Sequence, residues 1–251
     1  MRTVLIIVFA VAALASSGAT ERRVSFMERI TEARRKGTGP AGGYVVKIGE
    51  GKVIAVRDKQ STYSEGELAA AVQHACRVSK RPFVLAGPDY PGEKVGAEVV
   101  LVDEIAGEKK SGVLAAPEDG WAKLAVGRLV ADKPDDALRQ KRLRLELLRA
   151  GAMSVGLGVS MFQPCLMARV SSLADIDAIR MGRFCPEAEN NFDESAKRLG
   201  LGRAIVKGYY TACQEGWAPA PTNDVQKAIW DKVHEVPAAP MKIEFDPKTG
   251  K

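Results

Sequence analysis

Between residues 135 and 155 the sequence predicts a long helix that is apolar on most of its sides. Asp135 or Asp136 can begin it, because an acidic side chain at a helix N-terminus caps free amides and complements the helix dipole. The apolar residues at helical spacing are Leu138, Leu145, Leu148, Ala152 and Val155 on one face, with Leu143, Leu147 and Ala150 on others. Such a helix is stable only when other elements cover it on several sides, so the chain needs a layered fold around it.

The segments before this helix have the patterns of strands and of one further helix. Ser64 and Glu67 form a capping box, and Leu68, Val72 and Cys76 follow at helical spacing, which places Cys76 against the core. Apolar and β-branched runs bounded by Gly and Pro predict strands at 44–48, 53–56, 83–86, 98–102, 113–115 and 124–130. The first two form a hairpin or two successive strands. The predicted fold class is α+β, with a mixed twisted sheet, a helix before it, the buried helix and a helical C-terminal region.

The C-terminal region has helical patterns at 192–199, 203–213 and 225–233, and Pro186 suits the first turn of a helix. We expect Trp217 and Trp230 to pack this region on the core, because large aromatic side chains bury much apolar area. The tail from residue 237 to 251 contains one short predicted strand, at 242–245.

Residues 1–19 have the layout of a secretory signal peptide. A short basic start precedes an apolar run over residues 4–14, and small residues follow, so we expect cleavage after Ala15 or Ala19. The run is too short to span a bilayer, although an uncleaved membrane anchor is the alternative. We therefore expect a secreted or periplasmic protein without a stable membrane span after cleavage. Residues 20–43 are predicted to form a charged helix and a Gly/Pro linker.

The charge pattern does not indicate a nucleic-acid partner. The formal net charge is +6, from 37 basic and 31 acidic residues, which is a mild excess. Basic residues cluster at 34–36 and again between Arg139 and Arg144, but neither cluster is interleaved with aromatic residues as a nucleic-acid groove would be. We interpret both clusters as solvated helix faces.

Histidine and cysteine counts limit the metal chemistry. The two histidines, His74 and His234, cannot supply a site that takes three imidazoles from this chain alone. His74 lies off the apolar stripe of its predicted helix, which favours a surface or edge position. Four cysteines in an exported chain favour disulfides, but the sequence leaves all three pairings open.

The region 149–188 contains short runs at fixed spacing. Gly156 is followed by Leu157, a Cys-Leu-Met run lies at 165–167, and Phe-Cys-Pro lies at 184–186. With its glycine placed on Gly156, the pattern HExxHxxGxxHCx4CxMx17CxxC matches these runs without a gap. In this respect the segment resembles the archaemetzincins, a family of zinc peptidases.

The resemblance implies a metzincin-like fold over residues 44–188, in which the long helix is the former active-site helix. Residues 189–251 are then a helical C-terminal elaboration and tail. The order of strands and helices before the motif is similar to the metzincin layout.

Every position that holds the catalytic zinc in that family differs here. Arg149 and Met153 stand at the two helix histidines, Val159 stands at the third histidine, and Ala150 stands at the glutamate that takes a proton from the zinc-bound water. Arginine does not deprotonate to bind a metal, and alanine cannot act as a base. The resemblance therefore implies vestigial metal-site positions, with no catalytic residue, no metal and no cofactor.

A second zinc site of the family is half absent. Ser160 and Ala188 stand at its two outer cysteines, and two thiolates alone do not close a tetrahedral zinc site. Because all four cysteines reach the same metal in the family, the resemblance implies that Cys165 and Cys185 lie close enough for a disulfide. Free thiols, or exchange with the other two cysteines, are the alternatives.

Arg149 and Met167 have two interpretations each. Arg149 lies one turn after Glu146, which predicts an ion pair along the helix, whereas the resemblance also allows it to point into the vestigial cleft and hold a carboxylate or another anion. Met167 lies beneath the metal in the family, and here we expect core packing.

Asp175 and Asp177 do not share a helix face, which favours a solvated surface or capping over a catalytic pair.

The sequence thus predicts an exported archaemetzincin-like pseudopeptidase without catalytic zinc that acts as a binding or structural protein. By family analogy its partner is an unknown peptide or protein ligand. One alternative is a zinc-dependent metallopeptidase or other hydrolase with a rebuilt site, which would need His74 or His234 to converge with carboxylates. The other is an unrelated envelope-associated α+β structural domain.

Overall fold

A computed structural model of the chain describes residues 6–7, 42–106 and 112–234. The predicted helix and linker over 20–43 and the predicted strand at 242–245 lie wholly or almost wholly outside the described residues. Of the predicted signal peptide, only the pair Ile6–Ile7 is described, as a short strand.

The described residues form two compact units, the first of residues 6–7, 44–106 and 112–207, and the second of residues 42–43 and 208–234. The boundary that we predicted between residues 188 and 189 falls inside a helix, Pro186–Arg198, which belongs to the first unit.

Two sheets contain the strands of the described residues. The strands are β1 (Ile6–Ile7), β2 (Tyr44–Ile48), β3 (Val53–Lys59), β4 (Phe83–Leu85), β5 (Val95–Val102), β6 (Val113–Ala116), β7 (Trp121–Ala125) and β8 (Ala204–Gly208). The larger sheet has the order β4-β3-β5-β7-β6, parallel throughout except for β6, which runs antiparallel to β7 at one edge. The smaller sheet has the order β1-β2-β8. The strands β2 and β3 are therefore successive strands of different sheets and not a hairpin.

The helices of the described residues are α1 (Glu65–Ser79), α2 (Asp136–Ser154), α3 (Leu173–Ala178), α4 (Pro186–Arg198), α5 (Tyr209–Gln214) and α6 (Asp224–His234). The capping box that begins α1 is present, with the Ser64 N–H donating to the Glu67 carboxylate at 2.8 Å. Asp135 caps α2 by accepting from the Leu138 N–H at 2.8 Å, which confirms the predicted start of the long helix. In the described ranges no helix combines the length and apolar composition that a bilayer span requires.

The core lies between one face of the larger sheet and α2. Ala97, Val99 and Leu101 alternate along β5 and are buried, whereas the residues between them face the other side. Helix α2 contributes fully buried residues to this core: Leu143, Leu147, Leu148, Ala150 and Ala152. Each buried leucine contributes about 1.5–3 kcal/mol to folding relative to an exposed one. The α+β class and the buried helix are therefore as predicted.

Arg142 corrects the interpretation of the second basic cluster as a solvated helix face. Its side chain is 1% exposed, and it donates to the carboxylates of Asp132 and Asp177 and to the Leu129 carbonyl at 2.6–2.9 Å. These hydrogen bonds raise the pKa of Arg142 above its ordinary value. Asp177 is thus an ion-pair partner of Arg142. Asp175 accepts a hydrogen bond from the Ser172 N–H and caps α3, and capping is one of the roles predicted for Asp175 and Asp177.

Helix α4 packs on the core of the first unit. Phe192 is buried and stacks on Phe184, with ring centroids 5.1 Å apart. Asp193 pairs with the buried Arg81 at 2.8 Å. The start of the predicted C-terminal elaboration is therefore part of the core, because the apolar face of α4 covers the loop that precedes this helix.

The segment 203–213, predicted as one helix, forms β8 and then α5. Its first half is a strand because it pairs with β2 in the smaller sheet, a partner too distant in sequence for a local pattern to indicate, and the Ala204 N–H donates to the Lys80 carbonyl at 2.9 Å. Within the second unit, the Gln226 side chain donates to the Gly42 carbonyl at 2.9 Å. Trp217 donates to Glu215 at 2.8 Å, and Trp230 stacks on His234 with centroids 4.1 Å apart.

Gly151 allows Phe83 of β4 to pack directly on α2. A Cβ at this position would lie 2.5 Å from the Phe83 Cζ, so either the ring or the helix would have to shift. We expect Gly151→Ala to lower the free energy of unfolding by about 1–3 kcal/mol, the usual cost of overpacking a filled core. Urea unfolding followed by circular dichroism measures this change.

The matched control is Gly66→Ala in the exposed first turn of α1, where nothing lies within 4 Å of a new Cβ. We expect it to be neutral or to stabilise by up to about 1 kcal/mol, because alanine loses less backbone entropy than glycine. Equal unfolding midpoints for the two variants would contradict this account of the core.

Candidate functional site

A glycine turn ends the long helix. The Leu157 N–H donates to the Ala152 carbonyl at 3.0 Å and the Gly156 N–H donates to the Met153 carbonyl at 3.0 Å, which are the two bonds of a Schellman motif. Gly156 has φ +101°, a conformation that glycine adopts without steric cost. The prediction that Gly156 ends the helix is confirmed.

The loop after this turn is closed by backbone hydrogen bonds. The Ser160 N–H donates to the Met167 carbonyl at 2.8 Å, and the Leu166 N–H donates to the Arg183 carbonyl at 3.2 Å. Ser160 and Ala168 form an isolated parallel bridge. Met167 is completely buried in the core, as its predicted packing role requires.

The residues at the five predicted vestigial positions differ widely in exposure. Ala150 and Met167 are fully buried, Arg149 is 3% exposed, Met153 packs on the edge of the core, and Val159 is 51% exposed. The helix positions thus belong to the interior, and the loop position lies on the surface.

Arg149 forms a buried ion pair with Glu146. Its Nη1 lies 2.6 Å from the Glu146 Oε1, and the two side chains are 4% and 1% exposed. Its Nη2 also donates to the Ala168 carbonyl at 3.2 Å. The ion pair that helical spacing predicts is present. The alternative role of Arg149, binding an external anion, stays a prediction, and the guanidinium already has a carboxylate partner.

Burial raises the pKa of Glu146 above its ordinary value, and the neighbouring Arg149 opposes that rise. Neither the Glu146 Oε2 nor the Arg149 Nε has a hydrogen-bond partner among the described residues. The hydrogen-bonding capacity of the pair is therefore incompletely satisfied.

The residues at the vestigial positions do not fit a catalytic zinc ion. Zinc takes nitrogen, sulfur or carboxylate ligands with free lone pairs, whereas these positions supply a guanidinium, a methyl, a thioether and an isopropyl group. Within the ranges that the structure describes, no group of three or more His, Cys, Asp or Glu side chains could hold a metal ion. His74 belongs to α1 and contacts Arg77, and the exposed His234 stacks on Trp230.

Cys165 and Cys185 lie side by side as free, buried thiols. The Cys185 N–H donates to the Cys165 Sγ at 3.2 Å, and the Ser160 hydroxyl lies 3.9 Å from the Cys185 Sγ. Burial raises the pKa of Cys165, and the hydrogen bond from Cys165 lowers the pKa of Cys185. The two residues are brought together as the resemblance implies, while the disulfide between them stays a prediction.

A cavity of about 890 Å³ opens between the loop and α4. Its lining residues are Gly156, Leu157, Gly158, Val159, Ser160, Met161, Phe162, Glu187, Ala188, Asn191, Glu194, Ser195 and Arg198. Met161 and Phe162 are 91% and 51% exposed, which is unusual for large apolar side chains. Three consecutive positions of the motif, Val159, Ser160 and Met161, lie on one wall, and Ala188 lies on the other.

Sequence reasoning did not single out Met161 or Phe162. The available signal was a pair of large apolar residues directly after the glycine-rich turn 156–158, in a segment with no strand or helix period to bury them.

No family model matches the chain, and no curated protein matches it. Three solved structures are similar to it. An archaemetzincin from Methanopyrus kandleri is 16% identical with a TM-score of 0.47, over 59% of this chain and 96% of that one. A zinc-dependent peptidase from Methanocorpusculum labreanum is 17% identical with a TM-score of 0.45, over 55% and 99%. An archaemetzincin from Archaeoglobus fulgidus, complexed with malonate, is 15% identical with a TM-score of 0.44, over 55% and 99%.

Replacing Arg149 tests the buried ion pair. We expect Arg149→Met to lower the free energy of unfolding by about 3–5 kcal/mol at neutral pH, because it leaves the Glu146 carboxylate without a cation. The folded state binds the Glu146 proton more tightly than the unfolded chain does, so stability falls as pH rises from the ordinary carboxyl pKa to the raised one. Without Arg149 the pKa of Glu146 rises further, and the pH range over which stability falls extends to higher pH.

Urea unfolding of both proteins at about pH 5 and about pH 8 measures the effect, and the deficit of the variant should be larger at the higher pH. The control is the double variant Glu146→Leu with Arg149→Met, which removes both charges and should recover most of the loss. A loss of stability in Arg149→Met that does not depend on pH would contradict an ionised Glu146 as the partner of Arg149.

Oxidation tests the cysteine pair. We expect glutathione disulfide to join Cys165 and Cys185, because the sulfurs are adjacent and Cys185, whose pKa is lowered, supplies the attacking thiolate. Cys185 first forms a mixed disulfide and releases one glutathione, and Cys165 then displaces the second. Alkylation in denaturant, followed by mass spectrometry of the unreduced protein, should find only Cys76 and Cys213 labelled. In the Cys165→Ser control Cys185 should carry one glutathione instead, and a bond that involves Cys76 or Cys213 in the wild type would refute the pairing.

Proposed function

We propose that the chain is an exported peptide-binding protein with an archaemetzincin-like framework that does not catalyse peptide hydrolysis. The observation that carries the proposal is the cavity beside the glycine turn, which presents Val159, Met161 and Phe162 to solvent. Large apolar side chains grouped at a concave surface are typical of a binding site.

The edge strand β6 supports an extended peptide as the ligand. Among the described residues no strand pairs with its outer side in the larger sheet, and Leu114 on it is 44% exposed. An exposed antiparallel edge binds extended peptides through backbone hydrogen bonds. The strand ends at Ala116, and the next residue, Pro117, would lie 3.8 Å from a Cβ at Gly156, so a peptide along β6 would reach the cavity.

The chemistry of the former catalytic positions supports binding without hydrolysis. Peptide hydrolysis by a zinc peptidase needs a metal-activated water and a base that takes its proton. Here the guanidinium of Arg149 is paired with Glu146, and the Ala150 side chain has no proton acceptor. Export of the protein rests on the signal-peptide pattern of residues 1–19.

A binding assay with fluorescein-labelled decapeptides of mixed composition tests the proposal, with fluorescence polarisation to measure binding and mass spectrometry to detect cleavage. We expect wild-type protein to bind a subset with apolar central residues and to leave every peptide intact. Phe162→Asp should weaken that binding by about tenfold, because it places a charge in an apolar contact.

Ile205→Asp is the matched control, since Ile205 is 44% exposed and does not line the cavity. It should bind the same peptides as the wild type. Cleavage of the peptides by the purified wild type, or equal binding by the Phe162→Asp protein, would refute the proposed function.

A further inference from the structure

The cavity of the proposed function has two walls of different chemistry. The wall formed by the loop presents the exposed apolar side chains of Val159, Met161 and Phe162. Apart from Ala188, the residues of α4 that line the cavity are polar and recur at the spacing of one helix face. They are Glu187, Asn191, Glu194, Ser195 and Arg198. A ligand that fills the cavity therefore contacts apolar groups on one side and polar groups on the other.

Two contacts fix the direction in which α4 runs along the cavity. A Cβ at Gly156 would lie 3.8 Å from the Arg198 Nη2, so the C-terminal end of α4 lies beside the glycine turn. The Ser160 hydroxyl lies 3.9 Å from the sulfur of Cys185, the residue that precedes α4. The loop and α4 therefore run in opposite directions, with a cation at the glycine turn and the two acidic residues further along the cavity.

The carboxylates of Glu187 and Glu194 have no protein partner within the described part of the chain. Both residues are exposed, and neither side chain makes a hydrogen bond or an ion pair there. Arg198 lies one turn after Glu194 but does not pair with it, and its guanidinium lies beside the glycine turn instead. By contrast, Asp193 pairs with the buried Arg81 at 2.8 Å. The acidic residue of α4 that faces the core is thus paired, and the two that face the cavity are not.

The charge of the cavity is opposite in sign to that of the chain. Two carboxylates and one guanidinium line it, which gives the lining a formal net charge of −1, whereas the whole chain has a formal net charge of +6. A basic chain attracts acidic molecules at long range, so an acidic cavity in it favours a ligand of the other kind. Because the acidic residues lie across from apolar side chains, that ligand has both positive charge and apolar surface.

An extended peptide can contact both walls at once. Its successive side chains point to opposite sides, so alternate residues are directed to the loop and to α4. Glu187 and Glu194 are two helical turns apart, which is about 10.5 Å along the helix axis, and an extended peptide advances about 3.3 Å per residue. Two long basic side chains on the same side of the peptide therefore reach both carboxylates.

We propose that the cavity selects extended peptides that carry basic side chains beside an apolar one, and that Glu187 and Glu194 recognise the positive charge. This selectivity rests on the proposed function, because it concerns the class of peptide that the same cavity binds. The apolar wall contributes contact area to every apolar peptide, while the carboxylates discriminate among such peptides. Lysine and arginine fit this role, since each donates hydrogen bonds from a charged group at the end of a long side chain.

Binding of three matched peptides tests the selectivity. The fluorescein-labelled decapeptides share a Leu-Phe-Leu centre and carry lysine, glutamine or glutamate on both sides of it. Fluorescence polarisation measures their affinities for the full-length protein at about 0.1 M salt. We expect the wild type to bind the lysine peptide about tenfold more tightly than the glutamine peptide, because two exposed ion pairs each contribute a factor of about three. The glutamate peptide should bind more weakly than the glutamine peptide.

Substitutions on α4 identify the residues that select the peptide. The double variant Glu187→Gln with Glu194→Gln should bind the lysine and glutamine peptides equally, with the affinity of the wild type for the glutamine peptide. The double variant Glu187→Gln with Glu194→Lys should prefer the glutamate peptide, a reversal that a damaged fold does not produce. The matched control is Glu189→Gln, since Glu189 is an exposed acidic residue of the same helix that does not line the cavity. It should keep the wild-type preference.

The outcomes separate the selectivity from the proposed function. Equal affinity of the wild type for all three peptides, with binding still weakened by Phe162→Asp, overturns the selectivity alone. A lysine preference that persists in Glu187→Gln with Glu194→Gln also overturns it, as does one that Glu189→Gln loses to the same extent. Absence of binding to any of the peptides refutes the proposed function and the selectivity together.

Salt gives a reading that needs no variant. Raising the salt concentration to about 1 M should remove most of the lysine preference of the wild type and leave its affinity for the glutamine peptide unchanged or higher, because salt screens charges and strengthens apolar contacts. A lysine preference that does not depend on salt overturns the selectivity. If circular dichroism shows that a double variant does not fold, this dependence and the Glu189→Gln control decide the outcome.

Discussion

The Arg142 guanidinium joins three segments that would otherwise meet only through apolar contacts. It lies on the buried helix α2, yet its N–H groups donate to the Leu129 carbonyl and to the carboxylates of Asp132 and Asp177. A buried cation is tolerated only when its donors are matched, because each unmatched charge loses its hydration without compensation. By meeting that condition, Arg142 fixes the depth of α2 in the core and the position of α3. The turn and the loop between α2 and α4 depend on that placement.

A second buried charge on α2 has its counter-ion on the same helix. Arg149 stands at a position where the resemblance implies a zinc-binding histidine. Its counter-ion is Glu146, one turn earlier on the same helix and 2.6 Å away. The carboxylate partner of Arg149 lies on the same helix, while Val159 of the loop is exposed to solvent and lines the cavity.

Local patterns predicted the elements that depend on neighbouring residues. The caps of α1 and α2, the glycine turn at Gly156 and the buried side of α2 follow from residues within one or two turns. The errors lie where the partner is distant. Arg142 was interpreted as solvated because Asp177 lies 35 residues away, and β8 was interpreted as a helix because its strand partner, β2, is distant in sequence. The cavity was not predicted for the same reason, since its second wall is α4.

Backbone hydrogen bonds hold the loop between α2 and α4. The Ser160 and Leu166 N–H groups bond to carbonyls within and beyond the loop, and the Cys185 N–H bonds to the Cys165 sulfur. Backbone bonds of this kind do not depend on which side chains the loop carries. A loop with such support keeps its shape when its exposed side chains are replaced, because its conformation is satisfied internally. The core therefore places no constraint on its exposed positions, which Met161 and Phe162 occupy at the edge of the cavity.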